Sequence, residues 1–281
     1  DDMRLHFHEA GVGNPQTVVL LHGGGPGASS WSNFSRNIGV LAKHFHVLAV
    51  DQPGYGHSDK LAEHEQYNRY SATALLGLFD ELGLQGRIPL LGNSLGGGTA
   101  VRFALDHPDR AGKLVLMGPG GIGTTRGLPT DGLGSLLAYY GGSGPSREKL
   151  ATFIRNYLVY EGDSVPDELI DLRYAASIDP EVVADPPLSR PSGPFALRTL
   201  WRMDLTRDSR LASLQTPTLI LWGRDDKVNR PSGGPMLQNI MPNAELVMTS
   251  RTGHWMQWER AELFNQLVLD FLGSDSRLAH V

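Results

Sequence analysis

A chain of 281 residues, 40% of them hydrophobic, is long enough to bury a sizeable core as one large α/β domain or two small ones. A net charge of −5 leaves no basic footprint, which argues against a nucleic-acid partner, and the lack of cysteine excludes disulfides, thiolate catalysis and cysteine-based metal sites. No apolar run approaches the ~18 residues that span a bilayer. The chain starts at Asp1-Asp2-Met3 without a signal-peptide pattern, so we expect a cytoplasmic protein with no membrane partner.

In chain order, residues 3–8 alternate apolar and polar side chains, as a half-exposed strand would. Gly11-Val12-Gly13-Asn14-Pro15 is turn chemistry. Residues 17–21 form a continuous apolar run, a buried strand, which ends in His22-Gly23-Gly24-Gly25-Pro26-Gly27. The pattern predicts a helix over 31–42 and a buried strand over 47–50. It then predicts an amphipathic helix over 70–82, with Leu75, Leu78, Phe79 and Leu82 on one face. Residues 88–91 read as a further buried strand, 97–107 as a helix and 114–117 as the next strand. From about Gly118 the rhythm changes to glycine- and proline-punctuated helices, at 146–160, 167–176 and 195–203. Strand patterns resume at 218–222 and 246–248, and 261–272 closes the chain as a helix. The expected fold is α/β, a mostly parallel sheet with helices on both faces. Residues 1–120 and 211–281 make its core, and 121–210 form a helical lid over the C-terminal edge of the sheet.

The chemistry concentrates at Gly92-Asn93-Ser94-Leu95-Gly96, a G-x-S-x-G pattern between a strand and a helix. A serine in so sharp a turn requires residues without a Cβ two places before and two after it. A serine hydroxyl also needs a base, and that base needs an orienting acid. In this architecture the order is serine, acid, histidine. The base expected after the last strand is His254, in Thr252-Gly253-His254-Trp255. The acid after the preceding strand is Asp225 or Asp226, which adjacency alone barely separates. An oxyanion would be held by the N–H of Leu95 and by one from the glycine run, for which Gly24 is the choice and its neighbours stay open. His22 reads as structural. The pairs His6/His8 and His44/His46 read as surface residues, and no metal or cofactor is expected.

These motifs identify the chain as an α/β-hydrolase, which implies an eight-stranded type of sheet. In detail it resembles the meta-cleavage product hydrolases of aromatic and steroid ring degradation. The likeness is carried by 22–28 with Trp31 and Asn33, by 51–56, by 92–100, by Gly223-Arg224-Asp225-Asp226 and by Gly253-His254-Trp255. Residues 3–120 look especially like the enzymes that cleave the opened steroid ring. The resemblance implies Asp226 as the residue that orients His254, Arg173 as a lid arginine that holds a dienoate, and Phe153 as an aromatic beside it. It also implies a homo-oligomer and an acidic small-molecule substrate, a 2-hydroxy-6-oxohexa-2,4-dienoate cleaved between C5 and C6. The products would be a 2-hydroxypentadienoate and a carboxylic acid. Asn33, Asn93 and Gly25 are expected near the dienoate, with Trp255 as a pocket wall, while Tyr139, Tyr140, Trp201 and Met203 read chiefly as lid packing, with lining of the pocket as their second role. The rival readings are a carboxylesterase with the same triad and a ligand-binding receptor on a hydrolase scaffold. Between 121 and 146 and from 185 to 194 the chain departs from the steroid-type pattern.

Overall fold

Val18–Leu21, Val47–Val50, Leu90–Leu91 and Leu114–Met117 are apolar on both sides of their strands, and a strand buried on both faces belongs in the middle of a covered parallel sheet. The computed structural model describes residues 3–60, 66–191 and 193–273. Its strands are β1 (Phe7–Ala10), β2 (Thr17–Leu21), β3 (His46–Val50), β4 (Ile88–Asn93), β5 (Ala111–Met117), β6 (Thr218–Gly223) and β7 (Ala244–Thr249). They lie in the order β1-β3-β2-β4-β5-β6-β7, with only β1 antiparallel. Seven strands are thus described where an eight-stranded type was expected. The first lies later than predicted, because the backbone N–H groups of Arg4 and His6 donate to Asp59 and Ser58 in the loop after β3.

Helices α1 (Ser30–Phe34) and α2 (Ile38–Leu41) replace the single helix expected over 31–42. The break falls at Asn37, whose side chain donates to Gln257 O at 3.1 Å and Asn265 Oδ1 at 3.0 Å and so ties this segment to the end of the chain. Helix α3 (Tyr67–Glu81) buries Leu75 and Phe79 as expected, while Leu82 caps it and is exposed. Helix α4 (Leu95–Asp106) starts directly after Ser94 and is buried along nearly its whole length. Separate apolar clusters fill the two faces of the sheet. No helix among the described residues is long and apolar enough to cross a membrane.

Between β5 and β6 stand α5 (Asp131–Leu137), α6 (Arg147–Phe153), α7 (Asp167–Ser177), α8 (Pro180–Ala184) and α9 (Ala196–Met203). The predicted helix 146–160 ends as α6 plus a π-helical turn at Ile154–Leu158. Glycine-rich α5 was not predicted. Its N-terminus is capped by Thr130, which accepts from Leu133 N at 3.1 Å. The apolar cluster of this insertion includes Leu150, Phe153, Ile154 and Ile170, and it is shared with Val228, Trp255 and Trp258 from outside the insertion. The inserted helices are therefore packed onto the sheet through the loops that follow β6 and β7. Helix α10 (Gly233–Ile240), also unpredicted, rests its first glycines on Trp222, and α11 (Met256–Glu259) and α12 (Ala261–Gly273) complete the chain.

The chain passes from β2 outward to β3 and returns past β2 to β4, so the strand order reverses between β2 and β4. At such a switch point the loops leaving the C-terminal ends of the strands diverge and open a crevice for a ligand. The glycine run after β2 and Ser94 after β4 face each other across it.

Candidate active site

Ser94 adopts φ 50° and ψ −114°, one of only two non-glycine residues with positive φ among the described residues. Its N–H donates to Met117 O at 2.9 Å, and its own carbonyl accepts from Gly120 N at 2.7 Å, which holds the strained turn from both sides. A Cβ on Gly92 would run into the Gly96 carbonyl, and one on Gly96 into the Leu21 carbonyl. The flanking glycines are thus required by close approach of backbone, as the sequence reading anticipated.

His254 and Asp226 are almost fully buried and meet at 2.7 Å, Nδ1 to Oδ2. The other oxygen of Asp226 accepts from the N–H groups of Val228 at 2.8 Å and Asn229 at 2.9 Å, which fixes the carboxylate. Asp225 turns away, and its Oδ2 accepts from Thr252 N. Geometry therefore separates the two aspartates that adjacency left open. With Nδ1 engaged, His254 Nε2 is buried and has no hydrogen-bond partner. It lines the same small cavity as Ser94, where it is free to exchange a proton.

In the glycine run, Gly23 N–H is taken by Asn33 Oδ1 at 3.2 Å, and in the elbow Gly96 N–H is taken by His22 O at 3.1 Å. The amides of Gly24 and Leu95 are drawn into neither bond. A Cβ built on Gly24 would touch the Leu95 side chain at 2.7 Å, so these two residues lie against each other. Tyr55 steadies the loop by donating to Gly24 O at 2.9 Å. His22 is structural: its Nδ1 bonds Gly23 O, its Nε2 accepts from Gln52 N, and burial lowers its pKa.

Arg173 on α7 is the least ordinary member of the site. It is 1% exposed, and its Nε and Nη2 donate to Pro26 O at 3.0 and 2.8 Å. Its guanidinium lies 5.1 Å from the Trp255 ring. No carboxylate pairs with it among the described residues, and burial pushes its pKa down to about 10. A Cβ on Gly25 would lie 2.6 Å from Nη2 and 3.5 Å from Phe153, so the glycine makes room for both side chains. A buried cation without a counter-ion carries an uncompensated desolvation cost, which an anion placed beside it would offset.

The two asparagines behave differently. Asn33 is spent on its own loop, accepting from Gly23 N and donating to Ser29 O, so it shapes the glycine run. Asn93 donates to Met117 O at 3.1 Å and His254 O at 3.3 Å, which fixes the orientation of its amide. Its Oδ1 is left buried without a donor. Asn93, Ser94, Arg173, Trp255 and His254 line one compact polar compartment. On the other side of Ser94 and Gly24 opens a cavity of about 830 Å3, walled by Leu133, Leu136, Val228 and Met236 among others. Trp201 and Met203 also line it. Trp201 is not core packing as expected, since it is 54% exposed and stacked on Arg207, whereas Tyr139 is buried and bonds Ser177.

Sequence reasoning missed Glu259. Its two oxygens accept from Gly253 N at 2.9 Å and Tyr160 N at 2.7 Å, while His254 N donates to Leu158 O at 2.8 Å. The end of the π-helical turn is thereby latched to the histidine loop. Burial first, and the nearby Asp226 carboxylate, outweigh the N–H donors and raise the Glu259 pKa from 4.5 to about 7. A folded-state pKa above the unfolded one favours the protonated form. This group's contribution to stability is therefore full below about pH 4.5 and is lost as the pH rises towards about 7. Thermal melts across that range should show a fall in the wild type that is absent from Glu259→Gln, and parallel curves would refute the assignment.

The histidine pairs find carboxylates at a distance in sequence that spacing did not reveal: His6 bonds Asp51 and His46 bonds Glu9. No group of three or more His, Asp or Glu side chains among the described residues could hold a metal ion.

A family profile described as the alpha/beta hydrolase fold matches residues 16–261. The chain is 39% identical to a 2-hydroxy-6-oxo-6-phenylhexa-2,4-dienoate hydrolase of Burkholderia cepacia, over 97% of this chain and 92% of that protein. It is 41% identical to a 2-hydroxy-6-oxononadienedioate/2-hydroxy-6-oxononatrienedioate hydrolase of Pseudomonas putida, over 96% and 92%. Among solved structures, a meta-cleavage product hydrolase from Pseudomonas fluorescens superposes with a TM-score of 0.82 at 31% identity, covering 96% of this chain and 94% of that one.

Proposed function

We propose, from the premise that this chain belongs to the alpha/beta hydrolase fold family and within it to the meta-cleavage product hydrolases, that it cleaves the C5–C6 bond of a 2-hydroxy-6-oxohexa-2,4-dienoate. The observation that carries this reading beyond ester hydrolysis is Arg173, a buried guanidinium with no acid partner among the described residues, in the compartment that holds Ser94 and His254. An ester of a neutral acid has no use for it. The carboxylate of a dienoate does, and a planar fork pairs with it in a fixed register.

In this reading the dienoate head lies in the polar compartment, its carboxylate on Arg173 and its 2-hydroxyl donating to the empty Oδ1 of Asn93. The C6 carbonyl then falls at Ser94, and the C6 substituent extends into the large cavity. His254 Nε2 moves the 2-hydroxyl proton to C5, so that the dienol becomes a keto tautomer. Ser94 Oγ attacks C6 as His254 Nε2 takes its proton, which later returns to the 2-oxygen of the departing dienolate, and the amides of Gly24 and Leu95 hold the oxyanion. Breaking C5–C6 returns the electron pair to the dienol and leaves an acyl group on Ser94. Water activated by His254 releases that group as a carboxylic acid. Asp226 keeps the imidazole turned with Nε2 towards the reacting atoms. The insertion between β5 and β6 acts as the lid, since it brings Arg173 and Phe153 over the glycine run. A cavity of about 830 Å3 accepts a bulky substituent, aromatic or, as the likeness over residues 3–120 implies, steroid-derived.

The test compares two substrates. Decolorisation of a coloured ring-fission dienoate should exceed hydrolysis of p-nitrophenyl acetate by at least about 100-fold in kcat/KM, the scale of one charge-assisted contact. A preference for the acetate ester would assign the protein to the carboxylesterases instead.

A further inference from the structure

The loop after β3, Asp51-Gln52-Pro53-Gly54-Tyr55-Gly56, stands out in the sequence, yet the mechanism above gives its side chains no task. Two of them turn to the glycine run. Gln52 is almost fully buried, and both polar atoms of its side chain are bonded. Its Nε2 donates to His22 O at 2.6 Å, and its Oε1 accepts from Ser71 Oγ on α3 at 3.1 Å and Thr99 Oγ1 on α4 at 2.8 Å. Its backbone N–H donates to His22 Nε2 at 2.9 Å. An amide N–H can only donate, so Nε2 is the acceptor and the proton of the neutral imidazole sits on Nδ1. Nδ1 in turn donates to Gly23 O at 2.8 Å, a carbonyl that can only accept. Backbone groups thus impose one tautomer on His22. An imidazolium would set two donors against each other at Nε2, and burial, the largest influence on this group, lowers its pKa against the pull of Asp51.

The carbonyl of Gly23 and the N–H of Gly24 belong to one peptide. That peptide is planar and trans, so a bond that fixes the carbonyl also fixes the N–H on its opposite side. Donation to the carbonyl oxygen draws charge from the nitrogen and strengthens the N–H as a donor, the cooperativity of linked hydrogen bonds. Tyr55 holds the next carbonyl, Gly24 O, and Gly96 N donates to His22 O, which ties the loop to the elbow that supplies Leu95. Resting on the function proposed above, we infer that Gln52 and His22 are positioning residues of the oxyanion hole, which aim and polarise the Gly24 N–H without touching the substrate. A network that only met the hydrogen-bonding needs of a buried loop would support every ligand of the site alike. One that serves the oxyanion acts on the tetrahedral state in particular.

The experiment compares the wild type with His22→Leu and Gln52→Met. It measures kcat and KM for the dienoate, inhibition by phenylboronic acid, which forms a tetrahedral adduct on a serine oxygen, and the Kd of 2-hydroxypentadienoate, which has no C6. His22→Leu should lower kcat and weaken the boronate by about 10–100-fold, short of the 10²–10³ lost with a whole donor, and leave KM and the product Kd within about 3-fold. Gln52→Met keeps the imidazole but takes the side-chain donor from His22 O, and it should weaken the boronate relative to the product by about 5-fold or more. If His22→Leu does not fold, that ratio in Gln52→Met decides alone. Equal weakening of boronate and product, or a folded His22→Leu with the wild-type kcat, overturns the inference and leaves the carbon–carbon hydrolase intact. A wild type that hydrolyses p-nitrophenyl acetate but not the dienoate overturns the proposed function instead. The inference is then decided by the boronate against the KM of the ester, because every acyl transfer at Ser94 passes through an oxyanion.

Discussion

Ser94→Ala should reduce turnover of the dienoate by about 10⁴–10⁶-fold while the protein stays folded. The serine side chain contributes little to the packing of the elbow, whose geometry is set by backbone bonds to Met117 and Gly120 and by the glycines at 92 and 96. Alanine keeps the Cβ and removes only the oxygen that attacks C6. His254→Ala should cause a loss of the same order, and the double variant should be hardly worse than either, because the two groups act as a unit. Asp226→Asn should cost less than either, since Val228 and Asn229 still hold the side chain in place and only the orienting charge is lost. A single-turnover experiment adds a finer test. If His254 moves the proton before Ser94 attacks, Ser94→Ala should still convert bound dienol to its keto tautomer, seen as a shift in absorbance without cleavage. Near-wild-type steady-state turnover by Ser94→Ala would remove the serine from the mechanism.

The parts of the site that were legible in the sequence are those governed by local sterics. Ser94 needs glycines at fixed offsets, and strands buried on both faces need unbroken apolar runs, so the elbow, the glycine loop and the central strands could be found residue by residue. What could not be read depends on which backbone groups meet in space. Asp225 and Asp226 carry identical chemistry one residue apart, and only the direction of the loop after β6 turns one to His254 and the other to Thr252. Glu259 has no local signature, because its partners are the bare N–H groups of Gly253 and Tyr160. The π-helical turn that presents Leu158 O to His254 fits a helical pattern as well as an α-helix does. Asn33 and Asn93 were both expected near the dienoate, with a purely local role weightier for Asn33, and it is Asn33 that spends its amide on its own loop while Asn93 keeps an oxygen empty in the pocket. Of the two roles open to Trp201, lid core and pocket lining, the first weighed more because a large aromatic side chain in a helix is usually core, whereas here it is exposed and lines the large cavity.

Arg173→Met should separate function from stability. If Arg173 exists to receive the substrate carboxylate, the free protein carries a buried cation at a cost, and burial has already weakened that cation's hold on its proton. Methionine fills a similar volume without charge. It leaves Pro26 O without its two donors, a loss of about 1–3 kcal/mol, and relieves a desolvation cost of several kcal/mol. The variant should therefore melt within about 1 kcal/mol of the wild type or above it, while kcat/KM for the dienoate falls by about 10²–10³-fold. A third measurement ties the two together. Saturating 2-hydroxypentadienoate, the product that keeps the carboxylate, should raise the melting temperature of the wild type and leave that of Arg173→Met unmoved, since a ligand stabilises only the fold that binds it. The opposite pattern, a strongly destabilised variant whose surviving fraction binds the product normally, would make Arg173 a brace between α7 and the glycine run. The anion would then need another partner, and of the residues lining the compact compartment that holds Ser94, Arg173 is the only lysine or arginine.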